Sequence, residues 1–281
     1  MAISNFLPTV WSETLYEALD KKYVAVNNCN RDFDGEIKEM GNTVKICGVG
    51  SINIFDYTKN TDMSAQALSD TAIELTIDRA RAFNFQIDDI DRAQCTPKLM
   101  QAAMKVAASA LANDADSYVY GLYTEIATKR TITADDTTAA NIIDYIIKGR
   151  EKLYDGNVGD NEEIVIEVSP KIASLILKAK VSLSNDVKDS ALSGGVLGTI
   201  AGCKIYVSGN IKTGRDTTTN TTYHKCFMRT KRAIAFADQL SEINAYRPEA
   251  RFADAVKGLH LYGAQIVYAD ELVLLNLGIK N

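Results

Sequence analysis

Histidine, cysteine and tryptophan are scarce in this 281-residue chain, and their scarcity removes whole classes of chemistry. There are two histidines, five cysteines and one tryptophan. Cys29, Cys47, Cys95, Cys203 and Cys226 are scattered, and no CxxC pair occurs. A structural zinc site needs about four clustered Cys or His ligands, so no metal is expected. The cysteines read as reduced, small apolar residues. No apolar run approaches the roughly 18 residues of a membrane-spanning helix. The first residues, MAISNFLPTVWSETLYEAL, lack the basic start and apolar block of a secretory signal. No membrane partner is expected, and a cytoplasm is the expected place of synthesis. A net charge of −5 gives no support for a nucleic-acid-binding surface.

The nucleotide-binding motifs are missing as well. The stretch GGVLGTIAGCKIYVSGN holds five glycines in seventeen residues and invites a phosphate-loop reading. A dinucleotide fingerprint needs strand, then GxGxxG, then helix, and a Walker loop needs Gly-Lys-Ser/Thr. Here the glycines precede a strand, CKIYVS, with no helix after it. The reading that remains is a tight turn, in which Gly198 and Gly202 adopt backbone angles closed to other residues. Asp88, Asp89 and Asp91 cluster but lack the spacing and turn glycine of a calcium loop. They read as a strand end whose charge lies near the start of a helix. Asp135 and Asp136 read as loop and cap. His224 and His260 have no nucleophile at any recognisable spacing. No catalytic residue and no cofactor are expected.

What is present is a particular order of parts. Trp11, Leu15, Ala18 and Leu19 mark one face of a short N-terminal helix, which needs a surface to dock on. Residues 42–88 read as two long alternating strands around the polar tip KNTDMSAQALSD. Each arm reaches roughly 50 Å at ~3.3 Å per residue, too long for an isolated hairpin to be stable. Such a hairpin folds back on its own domain or lies on a neighbouring copy. Thr96 and Pro97 open an Ala-rich helix expected to run to about Lys129, ~50 Å at 1.5 Å per residue, with Gly121 its weak point. Then follow the helix NIIDYIIKGREKLYD, the strand EEIVIEVS, a helix opened by Pro170, the strand CKIYVS, a Thr-rich connection and further strands. The fold class is α+β.

This order resembles the major capsid proteins of tailed double-stranded-DNA bacteriophages, which share the Hong Kong 97-type fold. Three stretches carry the resemblance: FLPTVWSETLYEALDKKYVAVNNCNRDFDGEIKEMGNTVKI, then FNFQIDDIDRAQ with LMQAAMKVAASALANDAD, then GVLGTIAGCKIYVSGNI. The resemblance implies an N-terminal arm over residues 1–41 and an extended loop over 42–92. It implies a peripheral domain over 93–138 and 238–281, and an axial domain over 139–237. It implies a shell subunit that forms pentamers and hexamers around packaged double-stranded DNA. The expected partners are a portal and, because the chain begins at the arm, a separate scaffolding protein or none. The expected location is the virion capsid, assembled in the bacterial host cytoplasm. Candidate interface residues are Trp11, Tyr57, Lys59, Phe83 and Phe85. Lys59, near the loop tip, matches the place of a crosslinking lysine in some members. An encapsulin-like compartment is the alternative shell, and an enzyme with a cryptic site is the alternative of another class.

Overall fold

The computed structural model describes residues 23–33, 43–49, 56, 59, 70–88, 99–159, 162–183, 198–249 and 252–280. Strands β1 (Thr43–Val49) and β2 (Asp70–Thr76) pair antiparallel, from Thr43 opposite Thr76 to Val49 opposite Asp70. Strand β3 (Arg79–Asp88) follows at once, yet it does not continue that ladder. It is the edge of a three-stranded sheet with β10 (Ile234–Tyr246) and β11 (Ala253–Ile266), in the order β10–β11–β3. The two long arms expected from alternation are therefore not one hairpin. The returning arm divides at Ile77–Asp78, where the apolar rhythm breaks and the partner changes from β1 to β11.

Helix α1 (Leu99–Val119) packs on one face of this three-stranded sheet. Its alanines Ala108, Ala112 and Ala115 are fully covered, and their small side chains let the sheet approach closely. The α-helix stops at Val119, short of the expected Lys129, and a 3-10 segment, Tyr120–Glu125, replaces it. The change falls at Gly121, whose lack of a side chain weakens helical preference. At 21 residues the helix is about 31 Å long at 1.5 Å per residue. The residues expected to start it, Thr96 and Pro97, lie outside the described residues.

A second sheet holds β4 (Thr131–Ala134), β5 (Ile164–Val168), β6 (Thr199–Ile200), β7 (Cys203–Val207), β8 (Thr213–Asp216), β9 (Thr221–Thr230) and β12 (Leu272–Lys280). Its order is β4–β12–β9–β5–β7–β6, with β8 beside the start of β9. Strand β5, IVIEV, is buried along its whole length because β9 and β7 flank it and both faces are covered. One face carries helices α2 (Ile142–Tyr154) and α3 (Pro170–Leu183) over Ile166, Cys226, Met228 and Leu275. Pro170 stands in the first turn of α3 as expected, and the Ser169 hydroxyl caps it by accepting from the Ile172 amide at 3.5 Å. Gly149 brings α2 against this face: a methyl group there would stand 2.7 Å from Met228 Sδ.

The opposite face presents Phe227, Leu272 and Leu274 to Tyr120 and Leu122, in the same cluster as the core of α1. The two sheets thus share one apolar core. The last strand, β12, returns to the larger sheet, pairing with β9 and β4 although it lies near the end of the chain.

Candidate assembly surface

The expected glycine turn is present. Strands β6 and β7 pair as Thr199 with Lys204 and Ile200 with Cys203, which leaves Ala201 and Gly202 as a two-residue turn. Both have positive φ, 50° and 76°, the left-handed pair that matches the twist of a tight hairpin. Gly198 also has positive φ, 61°. The Arg150 guanidinium closes the turn by donating to the Ala201 carbonyl. Among the described residues no group of three or more His, Cys, Asp or Glu is placed to hold a metal ion, and no helix is long and apolar enough to cross a membrane. Burial pushes the Cys29 thiol up to about 11 and the Cys226 thiol up to about 12, so neither is a thiolate nucleophile at neutral pH.

The hairpin β1–β2 is rooted on the smaller sheet. Its root has one apolar side: Val44, Leu75 and Ile77 are buried against Ala235, Ala237 and Leu261. Lys45 and Glu74, cross-strand partners, face solvent 3.6 Å apart. The root lies on the face of the three-stranded sheet opposite α1. There the backbone passes directly over Gly263, where a Cβ would fall 2.2 Å from the Thr76 carbonyl oxygen. Leu75 and Ile77, essentially fully buried, contribute about 1.5–3 kcal/mol each to this seat.

The sequence-derived interface residues separate. Trp11 and Tyr57 lie outside the described residues. Lys59 is exposed in a turn. Phe83 and Phe85 lie on β3, half-buried and stacked with ring centroids 6.0 Å apart, on the side that meets the α1 core. Phe83 fits because its partner across the ladder is Gly258, where a Cβ would come within 2.5 Å of the ring. Exposed apolar surface lies elsewhere on this sheet: Phe252 is 81% exposed, and Tyr246 and Leu259 are more than a third exposed. Leu259 pairs with Ala82, itself exposed, on the face that also carries the hairpin root. Composition gives no sign of these residues, because an exposed Phe and a core Phe look alike in a strand pattern.

The segment 23–33, which leads out of the N-terminal region, is held by two buried polar clusters. In the first, Arg229 of β9 and Glu167 of β5 are completely buried diagonal neighbours. The guanidinium donates to both Glu167 oxygens, at 2.9 and 3.3 Å, and to the carbonyls of Ala25 at 2.9 Å and Asn28 at 2.5 Å. Asn28 Nδ2 donates to Glu167 at 3.0 Å. From α1, the Asp116 carboxylate accepts the amides of Val24, Ala25 and Val26 at 3.0, 3.0 and 3.2 Å. Burial raises the Asp116 carboxyl to about 6, against the opposing pull of those amides. In the second cluster, Asp238 of β10 accepts from Tyr23, Arg31 and His260 at 3.3, 3.2 and 3.2 Å. A parallel bridge between Asn30 and Ala235 completes the attachment. The one sequence signal for the first cluster is a glutamate inside the apolar run IVIEV.

These parts make a packed body with an anchored N-terminal segment and a hairpin rooted on the smaller sheet, and among the described residues no cluster of metal-ligating side chains is present. No family model matches the sequence, and no curated protein matches it significantly. Solved structures do. A chain from Mycobacterium phage Che8 is 28% identical, with a TM-score of 0.73, covering 90% of this chain and 91% of that one. The capsid of Ralstonia phage GP4 is 10% identical, with a TM-score of 0.70 and 92% coverage of both chains. The SrpI encapsulin of Synechococcus elongatus PCC 7942 is 9% identical, with a TM-score of 0.55, covering 85% of this chain and 83% of that one. The capsid of cyanophage P-SCSP1u and the mature capsid of bacteriophage PhiM1 also match, and these structures share with this chain one α+β fold over about nine-tenths of its length.

Proposed function

We infer that this chain is the major capsid protein of a tailed phage, a subunit that repeats to build a closed shell. The carrying observation is the shared fold, which extends over about 90% of both chains. The role is structural, and we take the chain to have no enzymatic activity. The finer reading follows the Hong Kong 97 plan. Residues 1–41 serve as arm and 42–92 as extended loop. Residues 93–138 and 238–281 form the peripheral domain, and 139–237 the axial domain. Pentamers and hexamers enclose double-stranded DNA, with a portal and either a separate scaffolding protein or none, and assemble in the host cytoplasm. Trp11, Tyr57, Lys59, Phe83 and Phe85 are proposed contacts between subunits, and the exposed Tyr246, Phe252 and Leu259 join them. Burial of such side chains is worth ~25 cal/mol per Å², repeated at every subunit.

Deletion of residues 58–69 tests the reading. The shortened chain is expected to stay soluble and folded but to form no closed shells by electron microscopy. Normal shells from the deletion would refute the role of the loop. The encapsulin neighbour favours a second reading, a compartment around a cargo enzyme. Shells that co-purify with one stoichiometric protein and no nuclease-protected DNA would select it.

A further inference from the structure

We propose that His224 makes the joint between β8, β9 and the first turn of α3 sensitive to acid: the joint closes on a neutral imidazole and loosens when the ring becomes an imidazolium. The inference concerns the single subunit and does not depend on the shell reading.

His224 stands where β9 changes partners along one side. Strand β5 leaves β9 at Glu167, opposite Phe227, and β8 joins it at Thr213, opposite His224. Between these points the chain from β5 turns into α3 at Pro170. By strand alternation His224 shares a face with Cys226 and Met228, the face that α2 and α3 cover. The residue is 4% exposed, and neither ring nitrogen has a hydrogen-bond partner among the described residues.

These surroundings suit the neutral form. From α3, Lys171 is the charge whose field reaches the ring, and it opposes a second positive charge. From β12 the residue opposite is Leu277, and from β8 it is Thr213; neither titrates. On β9 itself the flanking Tyr223 and Lys225 alternate to the other face, where they meet Asp135 and Asn276. An imidazolium in this place carries two N–H donors and a full charge with no acceptor to receive them. His260, the other histidine of the chain, is the contrast: Asp238 stands 3.2 Å from its Nε2, a setting that accepts a charged ring.

The sign of the effect follows. Burial first, and Lys171 second, hold the His224 pKa below its usual value in the closed joint. In an opened joint the ring returns to about 6.5. The open form therefore binds the proton more tightly, and opening is favoured as pH falls below about 6.5. Strand β8 is only four residues long and pairs with the first residues of β9, so this corner can part while β5 and β12 stay paired.

The test is hydrogen exchange read by mass spectrometry on the full-length chain, kept dilute enough to remain unassembled. Protection factors, with intrinsic rates divided out, are compared at about pH 7.5 and about pH 5. A local readout is needed because Asp116 moves global stability in the opposite sense. Peptides over residues 171–176 and 213–226 are expected to lose protection several-fold at the lower pH. The ceiling is about thirtyfold, the excess of charged over neutral ring at pH 5 for a group at 6.5. Peptides over α2 should keep theirs. H224F should hold its protection at both pH values, and K171E, an exposed substitution, should reduce the loss in the parent. Equal protection of the parent at both pH values, or an undiminished loss in H224F, overturns the proposal. If H224F does not fold, NMR of labelled imidazoles decides. One of the two histidines should titrate below 6.5 and move upward in K171E; both titrating at or above 6.5 overturns it equally. Shell formation plays no part in either readout, so failure here leaves the shell reading intact.

Discussion

Replacing Arg229 by methionine preserves much of the side chain's bulk and removes its charge, which leaves the Glu167 carboxyl buried and without its main partner. Both groups are 0% exposed, so water cannot compensate. Breaking a buried pair by removing one member typically costs about 3–5 kcal/mol. The carbonyls of Ala25 and Asn28 lose their donors as well, which adds to that figure. We expect about 4 kcal/mol, a large share of the roughly 5–15 kcal/mol that holds a folded chain. For a chain of this size that is a fall in melting temperature of about 8 °C, at ~2 °C per kcal/mol. The assay is urea and thermal unfolding of the dissociated subunit, with limited proteolysis to find the first cut. The cut should move into residues 23–30, because their attachment is what the substitution loosens. The double variant R229M/E167Q should recover more than half of the loss, since it removes the stranded charge. A cost below about 1 kcal/mol, or a double variant no better than R229M, would refute the view that this pair anchors the segment.

Asp116 predicts a pH dependence of definite sign. Its carboxyl is raised from 3.8 to about 6 in the folded chain, so the folded state binds the proton more tightly. Its contribution to stability is therefore greatest below pH 4 and is lost as pH rises through 6, by at most about 3 kcal/mol. D116N should flatten that part of the stability profile measured in urea; an unchanged slope would contradict the assignment. Gly258→Ala should cost about 1–3 kcal/mol, because the new methyl group must displace the Phe83 ring. A chemical melt matching the parent would show that the ring moves freely. Ala201→Gly should be neutral or stabilising by up to about 1 kcal/mol, since it relieves a left-handed alanine at φ 50°. Destabilisation by that amount would mean the turn is not strained.

The local elements were legible where the chemistry is local. The glycines at 198 and 202 permit left-handed backbone and Pro170 favours a helix start, and both features appear at those positions. The end of α1 was not legible, because apolar spacing continues past Gly121 at Leu122 and Ile126 while packing of Tyr120 against Phe227 favours the tighter turn. Nor was the division of the returning arm, because alternation reports two faces of a strand and does not say which partner pairs with it. The anchoring clusters were hidden for a related reason. Arg229 and Glu167 are 62 residues apart in sequence, and Asp238 meets Tyr23 across 215. Charges in such positions look like solvated faces until the topology brings them together. Of the interface residues expected from sequence, Phe83 and Phe85 contribute to the subunit's own core on one side. Phe252, which alternation does not single out, carries more exposed apolar surface.

Electron microscopy of the purified full-length chain tests the central claim most directly. The account predicts closed, uniform icosahedral shells, or discrete pentamers and hexamers that close when concentrated. A chain that remains a compact monomer at every concentration, with residues 42–92 folded against its own body, would contradict it.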